Sequence, residues 1–368
     1  MEVKNIMLNR NIRIILISPL PPPVGGIASW TKRIIDWTAD KKNIVIDTVN
    51  TAVIGKRLEK INSRRNFFEE FLRTIKILMS LKKKISLFSP DIIHINTPCG
   101  KFGLYRDFLC AKIVKRNNIK LVVHYRCNIE DQVGKSKFLN RIIIKLAQLA
   151  DKNLVLNDFS KKYLEKISGR NSIFLPNFIE SEAIMEDKRR ISHSIKNISF
   201  VGHVQKSKGL LEIIELSKKF SNITFKLAGP VSDEVDINGL PQNIIFLGSI
   251  DKKKVSQLLL DSDLFLFPTH SEGFSNALLE AMALGLPAVA TDVGANRDML
   301  EDKGGIIVPK SDVEEMKKAI QYLEPKNIRN RMSIWEIEKV RTEYTLEKVV
   351  PKLLKIYEEM LGGINENI

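Results

Sequence analysis

At 368 residues the chain is too long for one ordinary hydrophobic core and fits two domains of about 180 residues each. Its 44% hydrophobic and 27% charged content is that of a soluble globular protein, and no apolar run approaches the roughly 20 residues that cross a bilayer. The opening stretch MEVKNIMLNRNIRIILIS carries charges where an export signal needs an unbroken apolar core, so a cytoplasmic protein is expected.

The net charge of +15 is uneven: residues 1–180 hold 33 Lys and Arg against 15 Asp and Glu, and residues 181–368 hold 25 against 28. All of the basic excess therefore lies in the first half. Cys99, Cys110 and Cys127 match neither a disulfide framework nor a metal-ligand spacing, and are expected to be buried and inert.

Along the chain, IRIILIS (12–18) and NIVIDTV (43–49) read as buried parallel strands. Next comes the densest basic stretch, residues 55–84, where Phe67, Phe68, Leu72, Ile75 and Leu78 recur near helical spacing among Lys and Arg, including Arg64, Arg65 and Lys82 to Lys84. A basic amphipathic segment of this kind reads either as a contact for an anionic membrane surface or as a helix packed by its apolar face. Further strands follow at IIHIN (92–96), KLVVHY (120–125), NLVLN (153–157) and SIFLP (172–176). Periodicity lapses over 178–196, which reads as a linker.

The series resumes with NISFVG, ITFKLAG, NIIFLG, DLFLFP, LPAVAT and GGIIVP. Strands alternating with helical segments imply two doubly wound α/β domains, 1–178 and 179–344. The last helix, residues 345–368, carries an apolar stripe of Leu346, Val349, Val350, Leu353, Leu354, Ile356 and Tyr357 that needs an apolar partner.

In such sheets ligands bind beyond the carboxyl ends of the strands. Asp261-Ser262-Asp263 looks like a D-x-D metal motif but starts a strand, the wrong end, so no metal site is assigned. H-E-x-x-H, Walker A and G-x-G-x-x-G motifs are absent from the sequence, which argues against metalloprotease, P-loop and ordinary dinucleotide readings. HSEGFSNALLEAMALGLP (270–287) sits at the right end. Ser275 is a plausible N-cap, Gly273 admits close backbone approach, and the N–H groups around Ser275 and Asn276 can face a phosphate. Glu272 falls in the loop and Glu280 more than a turn into the helix. Carboxylates accept two hydroxyl hydrogen bonds at once and so suit vicinal diols.

EGFSNALLEAMALGLPAVATDVGANRDML resembles the E-x7-E block of glycosyltransferase family 4, retaining enzymes of the GT-B fold. ISPLPPPVGGIASWTKRI resembles that family's N-terminal glycine loop, FLPNFIE its first-domain end, and FVGHVQKSKGLLEII the segment opening its second domain. The likeness covers nearly the whole chain.

It implies two Rossmann-like domains facing across a cleft, with the final helix packing back on the first. It also implies a nucleotide-sugar donor on the second domain, an acceptor on the first, and transfer with neither metal nor cofactor. Glu280 would hold the ribose hydroxyls, Glu272 the transferred sugar, and Lys208 the diphosphate. Gly25 and Gly26 would let backbone close over the diphosphate, and Gly202, Gly273, Phe274, Ser275 and Asn276 would line the donor.

Two positions depart from the family. His203 stands where an Arg is usual, and Arg126 occupies the slot of a catalytic-site His, two residues beyond His124. Strand alternation puts His124 and Arg126 on one face, so either could serve the site.

The expectation is a hexosyl- or N-acetylhexosaminyltransferase acting on a lipid-linked or polysaccharide-precursor acceptor, peripheral at the inner membrane face. The family is thought to retain configuration by front-face attack. A soluble acceptor, a nucleotide-sugar epimerase of similar fold and a non-enzymatic basic binding protein are the alternatives. Nucleic acid is not an expected partner, because no aromatic-basic RNA motif or DNA-reading helix is present.

Overall fold

The computed structural model describes residues 11–22, 25–53, 67–187, 189–236 and 239–362. The chain forms two compact units, Met1–Leu175 with Val350–Ile368, and Pro176–Val349.

In the first unit β1 (Ile12–Ser18), β2 (Ile44–Asn50), β3 (Ile92–Thr97), β4 (Lys120–Tyr125), β5 (Lys152–Val155) and β6 (Ser172–Phe174) make one parallel sheet ordered β2-β1-β3-β4-β5-β6. Helices α1 (Gly26–Thr38), α2 (Phe67–Phe88), α3 (Lys101–Arg116), α4 (Ile129–Val133), α5 (Lys137–Leu149) and α6 (Asp158–Ser168) alternate with them. The strands read as Ile/Val runs because both faces of the sheet are covered, and Ile14 to Ile17 are wholly buried. Local chemistry sets the helix ends: Ser136 Oγ caps α5 at Leu139 N (3.3 Å), Asn157 Oδ1 caps α6 at Ser160 N (2.7 Å), and Gly169 closes α6 at φ +66°.

Helix α2 packs on α3 and β2 through Ile77 and Leu81, with Leu78, Ile85 and Phe88 partly buried beside them. Of the apolar residues whose spacing reads as one face, Phe68, Leu72 and Ile75 are exposed and Leu78 is partly buried against the core. The helix has apolar residues on two faces, and sequence spacing does not tell which one meets the core. Residues 55–66 of the basic stretch, with Arg64 and Arg65, lie outside the described residues.

The second unit holds β7 (Asn197–Val201), α7 (Leu210–Lys219), β8 (Thr224–Ala228), β9 (Ile244–Gly248), α8 (Lys252–Leu260), β10 (Leu264–Phe267) and α9 (Asn276–Ala283). It continues with β11 (Ala288–Thr291), α10 (Asn296–Leu300), β12 (Gly305–Val308), α11 (Val313–Tyr322) and α12 (Lys326–Glu343). Its parallel sheet runs β12-β11-β10-β7-β8-β9, so the order reverses between β7 and β10. Such a reversal parts the connecting helices and opens a crevice at the strands' carboxyl ends. Each unit is thus a doubly wound, Rossmann-like domain, and every strand segment read from the sequence forms a strand.

The stretch read as a linker is packed into the second unit. Ile179 N donates to Tyr344 O (2.9 Å), Leu346 N to Ile179 O (2.9 Å) and Met185 N to Ala283 O (2.9 Å). The Arg189 guanidinium donates to the carbonyls of Leu259 (2.6 Å), Ser262 (2.6 Å) and Leu284 (3.0 Å), serving the open ends of α8 and α9. One cation satisfying several carbonyls leaves no periodic trace in the sequence. Helix α13 (Leu346–Met360) starts in this unit and joins the first from Val350 onward, burying Val350, Leu353, Ile356 and Tyr357.

Glu336 on α12 is wholly buried, and neither carboxylate oxygen has a hydrogen-bond partner among the described residues. Burial therefore pushes its pKa well above the ordinary carboxylate range, with nearby Arg189 opposing only in part. The stability this group permits is complete below the unfolded carboxyl's range and is lost as pH rises through the higher folded value. Glu336→Gln, which cannot ionise, should melt above wild type at pH 8, and the gap should close near pH 4. A pH-independent gap in calorimetric melting would contradict the assignment.

Candidate functional site

The second unit's site is built around its crevice. After β7 the chain makes a single 3-10 turn, Lys206–Lys208, and Gly209 follows at φ +86°. A Cβ there would lie 2.3 Å from the Pro268 carbonyl, so glycine alone lets this turn press against the end of β10. Lys208 is thereby carried over the crevice. Its Nζ donates to Glu272 Oε1 at 2.5 Å and to Ser271 O at 3.3 Å, both groups half-buried.

Glu272 is held from behind as well. Gly294, at φ +54°, brings the loop after β11 so close that a Cβ would meet Glu272 O at 2.3 Å, and Ala295 N donates to Gly273 O at 3.0 Å. Ser275 Oγ caps α9 by accepting from Leu278 N at 3.1 Å. Asn276 and Glu280, four residues apart, share one side of that helix and are half-buried.

Phe274 is turned inward, its ring 5.5 Å from that of Tyr344 and nearly perpendicular to it, so only its backbone is left for a ligand. Asn177 fixes that backbone, with Nδ2 donating to Phe274 O (3.3 Å) and to Asn276 Oδ1 (2.9 Å). Gly202, at φ +153°, ends β7 where Gly229 approaches so closely that a Cβ would sit 1.9 Å from Gly202 O. His203 beyond it is exposed.

Sequence reading missed the pair His270–Glu212. His270 Nε2 lies 2.7 Å from Glu212 Oε1, and His270 N donates to Ser207 O (3.0 Å), tying the start of the Glu272 loop to α7 and to the Lys208 turn. The partners are 58 positions apart, and neither flank marks them. Asp263 belongs to the framework: its Oδ2 accepts from Lys196 N and Asn197 N, both at 2.8 Å, joining the starts of β7 and β10. A hollow of about 720 Å³ bordered by Lys196, Asn222, Gln321 and Glu324 also lies at these amino ends, away from the crevice.

In the first unit Gly25 precedes α1 with extended backbone, and a Cβ on it would meet nothing within 4 Å among the described residues. Gly26 opens the helix. His124 and Arg126 are both buried, His124 completely. Strand alternation does put them on one face, but that face is covered. The Arg126 guanidinium lies 4.7 Å over the Trp30 ring and contacts His124 Nε2 at 3.2 Å. His94, two strands' width from β5, completes the cluster with its ring 5.5 Å from His124 and its Nδ1 2.6 Å from Tyr357 OH on α13. His124 is therefore packed beside Arg126 and does not face solvent.

Burial, reinforced by the Arg126 charge, lowers the pKa of His94 to about 3 and that of His124 well below its usual value. Burial also brings Arg126 down to about 9, which leaves it cationic at neutral pH.

Residues 182–336 match the family model described as "Glycosyl transferases group 1". The chain has the GT-B fold, and its second unit is similar to group 1 glycosyl transferases. It is 25% identical over 358 residues to the capsular polysaccharide biosynthesis glycosyltransferase CapM of Staphylococcus aureus, covering 87% of this chain and 91% of that one. Its fold matches sucrose-phosphate synthase from Thermosynechococcus elongatus with a TM-score of 0.78 at 16% identity, over 96% of this chain and all (100%) of that one. It also matches HepE of Anabaena, solved in complex with UDP and glucose, with a TM-score of 0.72 at 15% identity, over 95% of this chain and 100% of that one.

The protein should lose stability in acid through its first unit. Unfolded histidine takes a proton near pH 6.5, whereas buried His94 does so only near 3, so its contribution is present above pH 6.5 and is lost as pH falls toward 3. Urea midpoints should drop between pH 7 and pH 5, and the drop should be smaller in His124→Gln. An unchanged slope in that variant would show that His124 is not held neutral.

Proposed function

We propose that the protein moves a sugar, with retention, from a nucleotide-sugar donor to a lipid-linked or polysaccharide-precursor acceptor at the cytoplasmic face of the membrane. The observation that carries this reading is the contact of Lys208 with Glu272 at the second unit's topological switch point. In a nucleotide sugar the diphosphate and the transferred sugar are adjacent, and an ammonium beside a carboxylate offers a partner to each. The anion-favouring start of α9, capped by Ser275, adds backbone N–H groups.

The leaving group is a nucleoside diphosphate, so charge grows on its bridging oxygen as the glycosidic bond breaks. Lys208 and the α9 N-terminus meet that charge with fixed dipoles, which is electrostatic stabilisation without a metal. Glu272 orients the transferred hexose or N-acetylhexosamine through its hydroxyls, and Glu280, further into α9, takes the ribose diol. Gly273, Phe274 and Asn276 contribute backbone at close range. In the first unit, which takes the acceptor, no described residue lies within 4 Å of a Cβ built on Gly25, which leaves a ligand room there among the described residues. The likeness to CapM, named for capsular polysaccharide biosynthesis, and to a protein solved with UDP and glucose supports the donor and acceptor classes.

Glu280→Ala should raise the donor KM about tenfold or more with little change in kcat, because ribose does not react. Glu272→Ala should lower kcat roughly a hundredfold. Steady-state and single-turnover assays separate the two, and equal losses of both kinds in both variants would remove the division of roles. Activity should also survive EDTA. Loss on chelation with recovery in Mn²⁺ would require a metal that Lys208 does not replace.

A further inference from the structure

Helix α2 packs on the first unit by one face and presents a second apolar face to solvent. Ile77 and Leu81 are 6% and 0% exposed, while Phe68 is 63%, Phe71 52%, Leu72 43%, Ile75 37% and Met79 65% exposed. At 100° per residue, Leu72, Ile75 and Met79 fall within one narrow stripe nearly opposite Ile77 and Leu81, with Phe68 in line. Lys76 and Lys83 border the stripe on one side and Lys82 on the other, all exposed.

Beyond the first turn, which carries Glu69 and Glu70, the charge around this ridge has one sign. From Phe71 to Phe88 the helix has five basic side chains, Arg73, Lys76, Lys82, Lys83 and Lys84, and no acidic one. Two of the five are engaged on the packed side: Arg73 with Glu70 at 3.0 Å, and Lys84 with Asp47 at 2.6 Å. Lys76, Lys82 and Lys83 make no hydrogen bond or ion pair among the described residues.

We propose that this face of α2 docks in the plane of an anionic lipid surface. Leu72, Ile75 and Met79 would enter the acyl boundary, and Lys76, Lys82 and Lys83 would reach the headgroup phosphates. A helix of this kind lies about 5–10 Å deep, and lysine stems extend past an apolar ridge to keep their charge in the headgroup layer. A second copy of the chain fits poorly, because pairing two such ridges sets lysine against lysine. No described helix is long and apolar enough to cross a membrane, so docking and not insertion suits the element. The inference stands on α2 alone and does not depend on the reading of the donor site.

The test is sedimentation with vesicles of phosphatidylcholine, with or without about 30% phosphatidylglycerol, at low and high salt. Wild type should bind the anionic vesicles and lose most of that binding at high salt. Lys76→Gln, Lys82→Gln and Lys83→Gln combined should weaken binding about a hundredfold, at roughly fivefold per lysine. Leu72→Gln, Ile75→Gln and Met79→Gln combined should weaken it at least tenfold at either salt. Both variants change exposed side chains, so their melting curves and their UDP affinity by calorimetry should match wild type, which separates docking from donor binding. Wild type that ignores anionic vesicles, or an apolar variant that binds like wild type, overturns the proposal. So does a wild type that dimerises through this face, as shown by a monomeric apolar variant.

Discussion

The contact on which the second unit's chemistry depends is a close approach of backbone, not a charge. Lys208 meets Glu272 because the turn after β7 lies against the end of β10, and it lies there because Gly209 has no Cβ to strike the Pro268 carbonyl. Gly294 does the same service for the loop after β11, behind Glu272. Three strand ends are thus drawn together by positions without side chains, and the ionisable groups are placed as a result. The His270–Glu212 pair ties the same loop to α7, so the loop is braced from both sides of the switch point.

The first unit uses the same fold with opposite chemistry at its strand ends. Its aromatic and imidazole groups, Trp30, His94, His124 and Tyr357, are packed out of water around one guanidinium. Burial holds both histidines neutral, and a neutral imidazole can sit beside Arg126 without repulsion. Tyr357 brings α13 into this cluster through His94, so the last helix is fastened to the first unit by a polar contact as well as by Leu353 and Ile356. The Trp30 ring face offsets only part of the hydration that Arg126 loses on burial, which is why its pKa falls to about 9.

Helix α2 shows how one element can serve two solvents. Ile77 and Leu81 belong to the core, and Leu72, Ile75 and Met79 do not. An apolar patch left on the outer face of a packed helix marks an interaction surface, and the lysines beside it favour a partner of negative charge.

The sequence by itself determined the α/β class, the twelve strands and the helix after the Glu272 loop, because these rest on local physics: unbroken Ile/Val runs, the Ser275 cap and Gly285 after the last turn. Loop, cap and spacing nominated Glu272 and Glu280, and resemblance added Lys208 and gave each a role. Only the tertiary structure decided which of these meet. It put Lys208 on Glu272 across 64 positions, paired His270 with Glu212, closed His124 away behind Trp30 and packed the stretch 178–196 into the second unit through Arg189. It also decided which face of α2 meets the core, because a helix with two apolar faces carries the same periodicity whichever face is inside. Those outcomes follow from which backbones can approach one another, and that is a property of pairs of distant segments which no single stretch of sequence records.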